Sequence, residues 1–145
     1  MYRISSPGAS TVVALLAAAA VAGCGGGSSF TSKADSVCKD TTVKLQKVPR
    51  PKTTGAFAGY LDQASAIAHS ASRKLGALKP PSDKKAEYQT YLAALERQLG
   101  LFDQARALAH NGKTGRALAV LSAGQTSGRA VKARAKALGL SECSK

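Results

Sequence analysis

Three cysteines and two histidines are the side chains best suited to bind a metal, attack a substrate or crosslink the chain. Their spacing decides between these chemistries. A zinc site draws on close pairs of such ligands, commonly about two to four residues apart. No such pair exists here: Cys24, Cys38 and Cys143 are far apart, and His69 and His110 stand alone. An activated nucleophile needs a base beside it and a third group to orient that base. The eight acidic residues are scattered, and most have a basic residue within a helical turn, as on a solvated face. No glycine-rich phosphate loop is present. Tyr88 and Tyr91 fall on an apolar stripe and read as core. These residue types point away from an enzyme and away from a metal or other cofactor. Crosslinking is the chemistry left open for Cys38 and Cys143.

The elements that position these residues follow from composition and period. Alanine, leucine, lysine and arginine dominate, tryptophan is absent and β-branched residues are sparse, a balance that favours helix. A first segment is expected from about Ser32, as N-cap, to Val48, with Ala34, Val37/Cys38, Thr41, Leu45 and Val48 on one face. Pro49-Arg50-Pro51 stops it. A second runs from about Thr54 to Leu78, with Phe57, Leu61, Ala64, Ala71 and Leu75 forming a stripe. Pro80-Pro81 ends it, and Ser82 is expected to cap a third segment reaching His110. Asn111-Gly112 supplies a left-handed stop. A fourth runs from Thr114 to Gly139, with Leu118, Leu121, Gly124, Gly128, Val131, Ala135 and Leu138 on one face. The expected fold is all-α: an antiparallel bundle of about four helices, the first one short. No repeat of fixed period supports a solenoid of helix pairs.

The first 23 residues have the layout of a secretory signal. Arg3 gives a positive start, Thr11 to Ala22 is an uncharged apolar run, and small residues follow. The run is too short for the ~20 residues that span a bilayer. Its end, Val21-Ala22-Gly23-Cys24, resembles the lipobox of bacterial lipoproteins. That resemblance implies a diacylglyceryl group on the Cys24 sulfur and cleavage before Cys24. It divides the chain into a signal peptide, 1–23, a lipidated cysteine with a flexible Gly/Ser tether, 24–31, and a helical domain, 32–145. It implies an exported protein, lipid-anchored on the extracytoplasmic face of the cell membrane. Gly25 stands where an aspartate would imply inner-membrane retention in Gram-negative lipoproteins, which leaves an outer membrane open. From Ala34 to Cys143 the mature chain also resembles small alanine-rich lipoproteins of high-GC bacteria, in its first-helix cysteine and its ending Leu138-Gly139-Leu140-Ser141-Glu142-Cys143. That likeness carries no established activity.

Export places Cys38 and Cys143 in an oxidising compartment. An even number of helices returns the chain to the end where it began. The start of the first helix and the tail after the fourth are therefore expected to be neighbours, and Cys38 and Cys143 to form a disulfide. The anchor enters at the same end.

Charge suggests what the domain touches. Removing residues 1–23 takes away Arg3 and leaves 20 basic against 8 acidic residues, 20 − 8 = +12. No acid lies between Asp103 and Glu142, while Arg129, Lys132 and Lys136 recur at spacings of three and four. This stripe is the candidate contact for anionic lipids or acidic envelope polymers. Nucleic acid fits less well, because export removes access and no aromatics interleave with the basic residues. Gly124 and Gly128 are expected to allow close helix approach or a bend. The role expected from the sequence is a non-enzymatic binding or structural module of the cell envelope. The alternative is a small-molecule-binding protein that uses a cavity between helices.

Overall fold

A computed structural model describes residues 25–145, with side chains from residue 29 onward. The signal segment and Cys24 lie outside the described residues. Five helices follow in order: α1 (Gly25–Gln46), α2 (Thr54–Gly76), α3 (Lys85–His110), α4 (Thr114–Ala123) and α5 (Gln125–Ala137). A short 3-10 turn, Ser82–Lys84, leads into α3. No strand occurs among the described residues.

The helices form an antiparallel up-and-down bundle in which α4 and α5 together make the fourth arm. α3 is the central element and packs against α2, α4 and α5, while α1 lies against α2. One core cluster fills the end where α1 starts, with Phe30, Ala34, Leu75, Tyr88, Tyr91, Val131, Ala135, Leu138 and Leu140 buried together. A second, smaller cluster joins α2, α3 and α4 at the other end through Leu61, Ala105, Ala109 and Ala117. Four arms thus contribute to the core at one end and three at the other. The first helix is not the short one expected: α1 has 22 residues against 23 in α2, and none of them joins the second cluster.

Local chemistry sets the boundaries. Thr53 accepts from the Ala56 N–H at 3.3 Å and caps α2. α3 and α5 both close on a glycine in the left-handed region, Gly112 (φ 70°) and Gly139 (φ 78°). In each, the next N–H reaches back five residues, Lys113 to Leu108 O and Leu140 to Ala135 O, both at 2.9 Å. The closure of α5 turns Leu140 inward until it is fully buried.

The first helix departs from expectation. It begins at Gly25, so the stretch expected to be a flexible tether is helical, and Ser32 lies exposed inside the helix instead of capping it. The bundle also starts earlier than residue 32, because Phe30 is buried in the core. Phe30 stands four residues before Ala34 and extends the same apolar stripe back by one turn. Burying a phenylalanine is worth ~1.5–3 kcal/mol, enough to offset the weak helix propensity of the neighbouring glycines and serines.

Two smaller corrections concern the other helices. Ser82 opens the 3-10 turn and makes no capping hydrogen bond to α3. The expected fourth helix is broken at Gly124, where a Cβ would come within 3.2 Å of Leu101 Cδ1 on α3. A side chain there would press on Leu101, which would have to give way. Upstream of the break the buried face is set by Ala117, and Leu118 is 53% exposed.

Candidate functional site

Cys38 on α1 and Cys143 in the tail form a disulfide with Cα atoms 5.1 Å apart, closing a loop of sequence separation 105. A second clamp holds the same tail. Asp35, one turn before Cys38, accepts from the Ser141 N–H at 3.2 Å, the Ser141 hydroxyl at 2.8 Å and the Glu142 N–H at 2.8 Å. The carboxylate thereby takes up the backbone N–H donors of the tail beyond α5. The middle of α1 and the C-terminal tail are fixed to each other at the four-arm end.

The basic stripe lies on α5. Val131, Ala135 and Leu138 face the core, and Arg129, Lys132 and Lys136 are exposed on the opposite side. None of the three forms an ion pair among the described residues. Arg129 Nη2 donates to Thr126 Oγ1 at 3.0 Å, one turn back. Lys84 Nζ, from the turn before α3, donates to Leu138 O at 3.2 Å and caps the end of α5. The result is a cationic face with no acid of its own helix to neutralise it.

The histidines are placed by α2 and α3. His69 Nε2 lies 2.9 Å from Asp103 Oδ2, and His110 Nε2 lies 2.9 Å from Asp62 Oδ1. Asp62 and His69 are seven residues apart on α2, as are Asp103 and His110 on α3. Running antiparallel, the two helices therefore present each aspartate to the other's histidine. The buried Ser65 donates its hydroxyl to Asp103 Oδ1 at 2.9 Å. Burial raises the Asp103 pKa, but hydrogen bonds from Ser65 and His69 and the charges of His69 and Arg106 outweigh it and hold the carboxyl below its ordinary value. The order is serine, carboxylate, histidine. The serine proton is directed at Asp103, not at the imidazole, so this arrangement clips two helices and does not activate a nucleophile. No group of three His, Cys, Asp or Glu side chains able to hold a metal is found among the described residues.

A cleft of about 190 Å³ opens beside the disulfide. Ala68, Ala71, Leu75, Leu95 and Val131 give it an apolar floor, and Thr42, Glu142 and Lys145 lie at the cleft as polar residues. The small side chains Ala68 and Ala71 leave this space where α1 crosses α2. Tyr91 also lines it, and burial, with Asp35 nearby, pushes its phenol up to about 12.

No protein-family model matches the chain, and neither a curated protein nor a solved structure is similar to it. No helix among the described residues is long and apolar enough to cross a membrane.

Of the residues singled out in the sequence, Cys38 and Cys143 are bonded and the three basic residues share one face. Cys24 lies outside the described residues. The cross-helix His–Asp pairs and the Asp35 clamp were not anticipated. The pairs had a signal in the repeated Asp-to-His spacing of seven, seen only when each histidine is compared with the opposite helix's acids. The clamp had none, because it depends on how the tail folds back after Gly139.

Proposed function

We propose that this chain is a lipid-anchored lipoprotein of the extracytoplasmic membrane face, acting as a non-enzymatic binding or structural module of the cell envelope. Its α5 face contacts anionic lipids or acidic envelope polymers. The observation that carries this reading is the exposed, unpaired stripe of Arg129, Lys132 and Lys136 on a helix without acids. Each such residue contributes about 1 kcal/mol near an anionic surface, and the attraction is screened by salt. The lipobox-like run ending at Cys24 supports the anchoring part.

The test is sedimentation of the unlipidated domain with anionic vesicles. Binding at low salt, lost by a few hundred millimolar and weakened in Arg129→Ala/Lys132→Ala/Lys136→Ala, is the expected result. No binding at low salt overturns the surface contact.

The cleft beside Tyr91 supports a second reading, a site for a small apolar molecule. At about 190 Å³ it suits a ligand of roughly one aromatic ring. A rise in Tm with small aromatic probes, abolished by Ala71→Leu, is the outcome expected from that reading; no shift with any of them removes it.

A further inference from the structure

We infer that the turn between α2 and α3, together with the start of α1, is the end of the bundle that rests on the membrane, where Lys33, Lys79 and Lys85 contact anionic phospholipid headgroups. This rests on the lipid-anchor reading above and adds an orientation and a set of contact residues distinct from the α5 stripe.

Chain length argues first. Gly25, the first residue of α1, directly follows Cys24 in sequence. From Gly25 to Phe30 are five residues, about 8 Å of helix at ~1.5 Å per residue. Phe30 is locked into the core, 3% exposed. A lipid on Cys24 is thus joined to the bundle by a short helical rod, and the end that carries Phe30 is held at the bilayer surface.

Surface chemistry argues second. Two grooves flank Leu78 at this end. One, of about 340 Å³, is lined by Ser29, Phe30, Lys33, Leu78 and Lys79. The other, of about 400 Å³, includes Leu78, Lys79 and Lys85. No acidic residue lines either groove; Asp83, the acid of the intervening turn, stands outside both. Lys33, Lys79 and Lys85 are exposed and form no ion pair among the described residues. Lysines around an apolar centre suit the boundary where headgroup phosphates meet acyl chains: the stems lie along apolar surface and the ammonium groups reach the phosphates. In this orientation α5 runs toward the membrane, so its last turn brings Lys136 near the surface, while Arg129 and Lys132 stay on the side of the bundle and face envelope polymers rather than lipid.

Amine-reactive footprinting of the full mature chain, produced with its lipid and reconstituted into vesicles, tests this. With phosphatidylglycerol vesicles, Lys33, Lys79 and Lys85 should label roughly fivefold more slowly than with phosphatidylcholine vesicles, the factor expected for one basic residue at an anionic surface. Lys113, at the opposite end, should label equally in both. Equal rates at all lysines, or protection confined to Lys132 and Lys136, overturn the orientation while leaving the anchor intact, provided the chain stays with the vesicles through a high-salt wash. Release by that wash overturns the anchor and this inference with it. Inorganic phosphate without vesicles should protect none of the three; protection by phosphate alone overturns the lipid source in favour of a free-anion site.

Discussion

Phe30 meets Tyr88 edge-on, with ring centroids 4.8 Å apart and planes at 87°. Tyr88 donates its hydroxyl to Leu75 O at 2.7 Å and lies at 5.9 Å from the Tyr91 ring. One aromatic contact therefore ties the start of α1 to the end of α2 and the start of α3. It makes the second turn of α1, through Phe30, part of the core.

Phe30→Ala should destabilise the domain by ~3–5 kcal/mol, the usual loss for a buried phenylalanine. Chemical denaturation measures it. Phe30→Leu should lose much less. If residues 24–31 instead behaved as a free tether, both variants would unfold at the wild-type midpoint.

The disulfide closes a loop of sequence separation 105, worth ~4–5 kcal/mol on chain entropy alone. Cys38→Ser/Cys143→Ser should lower the unfolding free energy by several kcal/mol while keeping the helical signal, because Asp35 still holds Ser141 and Glu142. Adding Asp35→Ala to the pair should then release the tail, seen as fast amide exchange after Gly139. A tail that stays protected without both clamps contradicts their assignment.

Asp103 gives a pH dependence with a defined sign. Its folded pKa lies below the ordinary aspartate value. The stabilisation is therefore present above that ordinary value and is lost as pH falls through the folded value. Asp103→Asn should be less stable than wild type near neutrality, and the gap should narrow below pH ~4. With side-chain exposures of 40% for His69 and 37% for Asp103, the effect at neutral pH should be no more than ~1 kcal/mol, a few degrees in Tm. A gap that widens on acidification contradicts the assignment.

Gly124 and Gly128 should respond oppositely to substitution. A Cβ on Gly124 meets Leu101 Cδ1 at 3.2 Å and Leu121 O at 3.3 Å, whereas one on Gly128 meets the Gln98 side chain at an ordinary 3.8 Å. Gly124→Leu should cost ~1–3 kcal/mol through overpacking. Gly128→Ala should gain up to ~1 kcal/mol from helix propensity. Thermal unfolding separates them; equal effects would remove the close approach at Gly124.

The apolar stripes made the bundle legible, because the period of Leu61, Ala64, Leu75, Tyr88 and Leu99 leaves only a helix able to bury them. Helix parity made the Cys38–Cys143 bridge legible. The start of α1 was not, because local propensity in Gly25-Gly26-Gly27-Ser28-Ser29 opposes helix while the burial of Phe30 is a tertiary effect. The phase of α4 was obscured too: Leu118 looks more buried than Ala117, but it is Ala117 that packs with Leu61, Ala105 and Ala109, where α4 lies against α3, and Leu118 is left exposed. Polar contacts made across the bundle left the weakest trace, since Ser65–Asp103–His69 joins helices whose register no single segment reveals.

Lipid anchoring through Cys24 is decided by the mass of the mature N-terminal peptide. Extracted from membranes of a lipidating bacterial host, the chain should begin at Cys24 and carry the added mass of a diacylglyceryl thioether. A mature chain with an unmodified Cys24 rules out the lipid anchor.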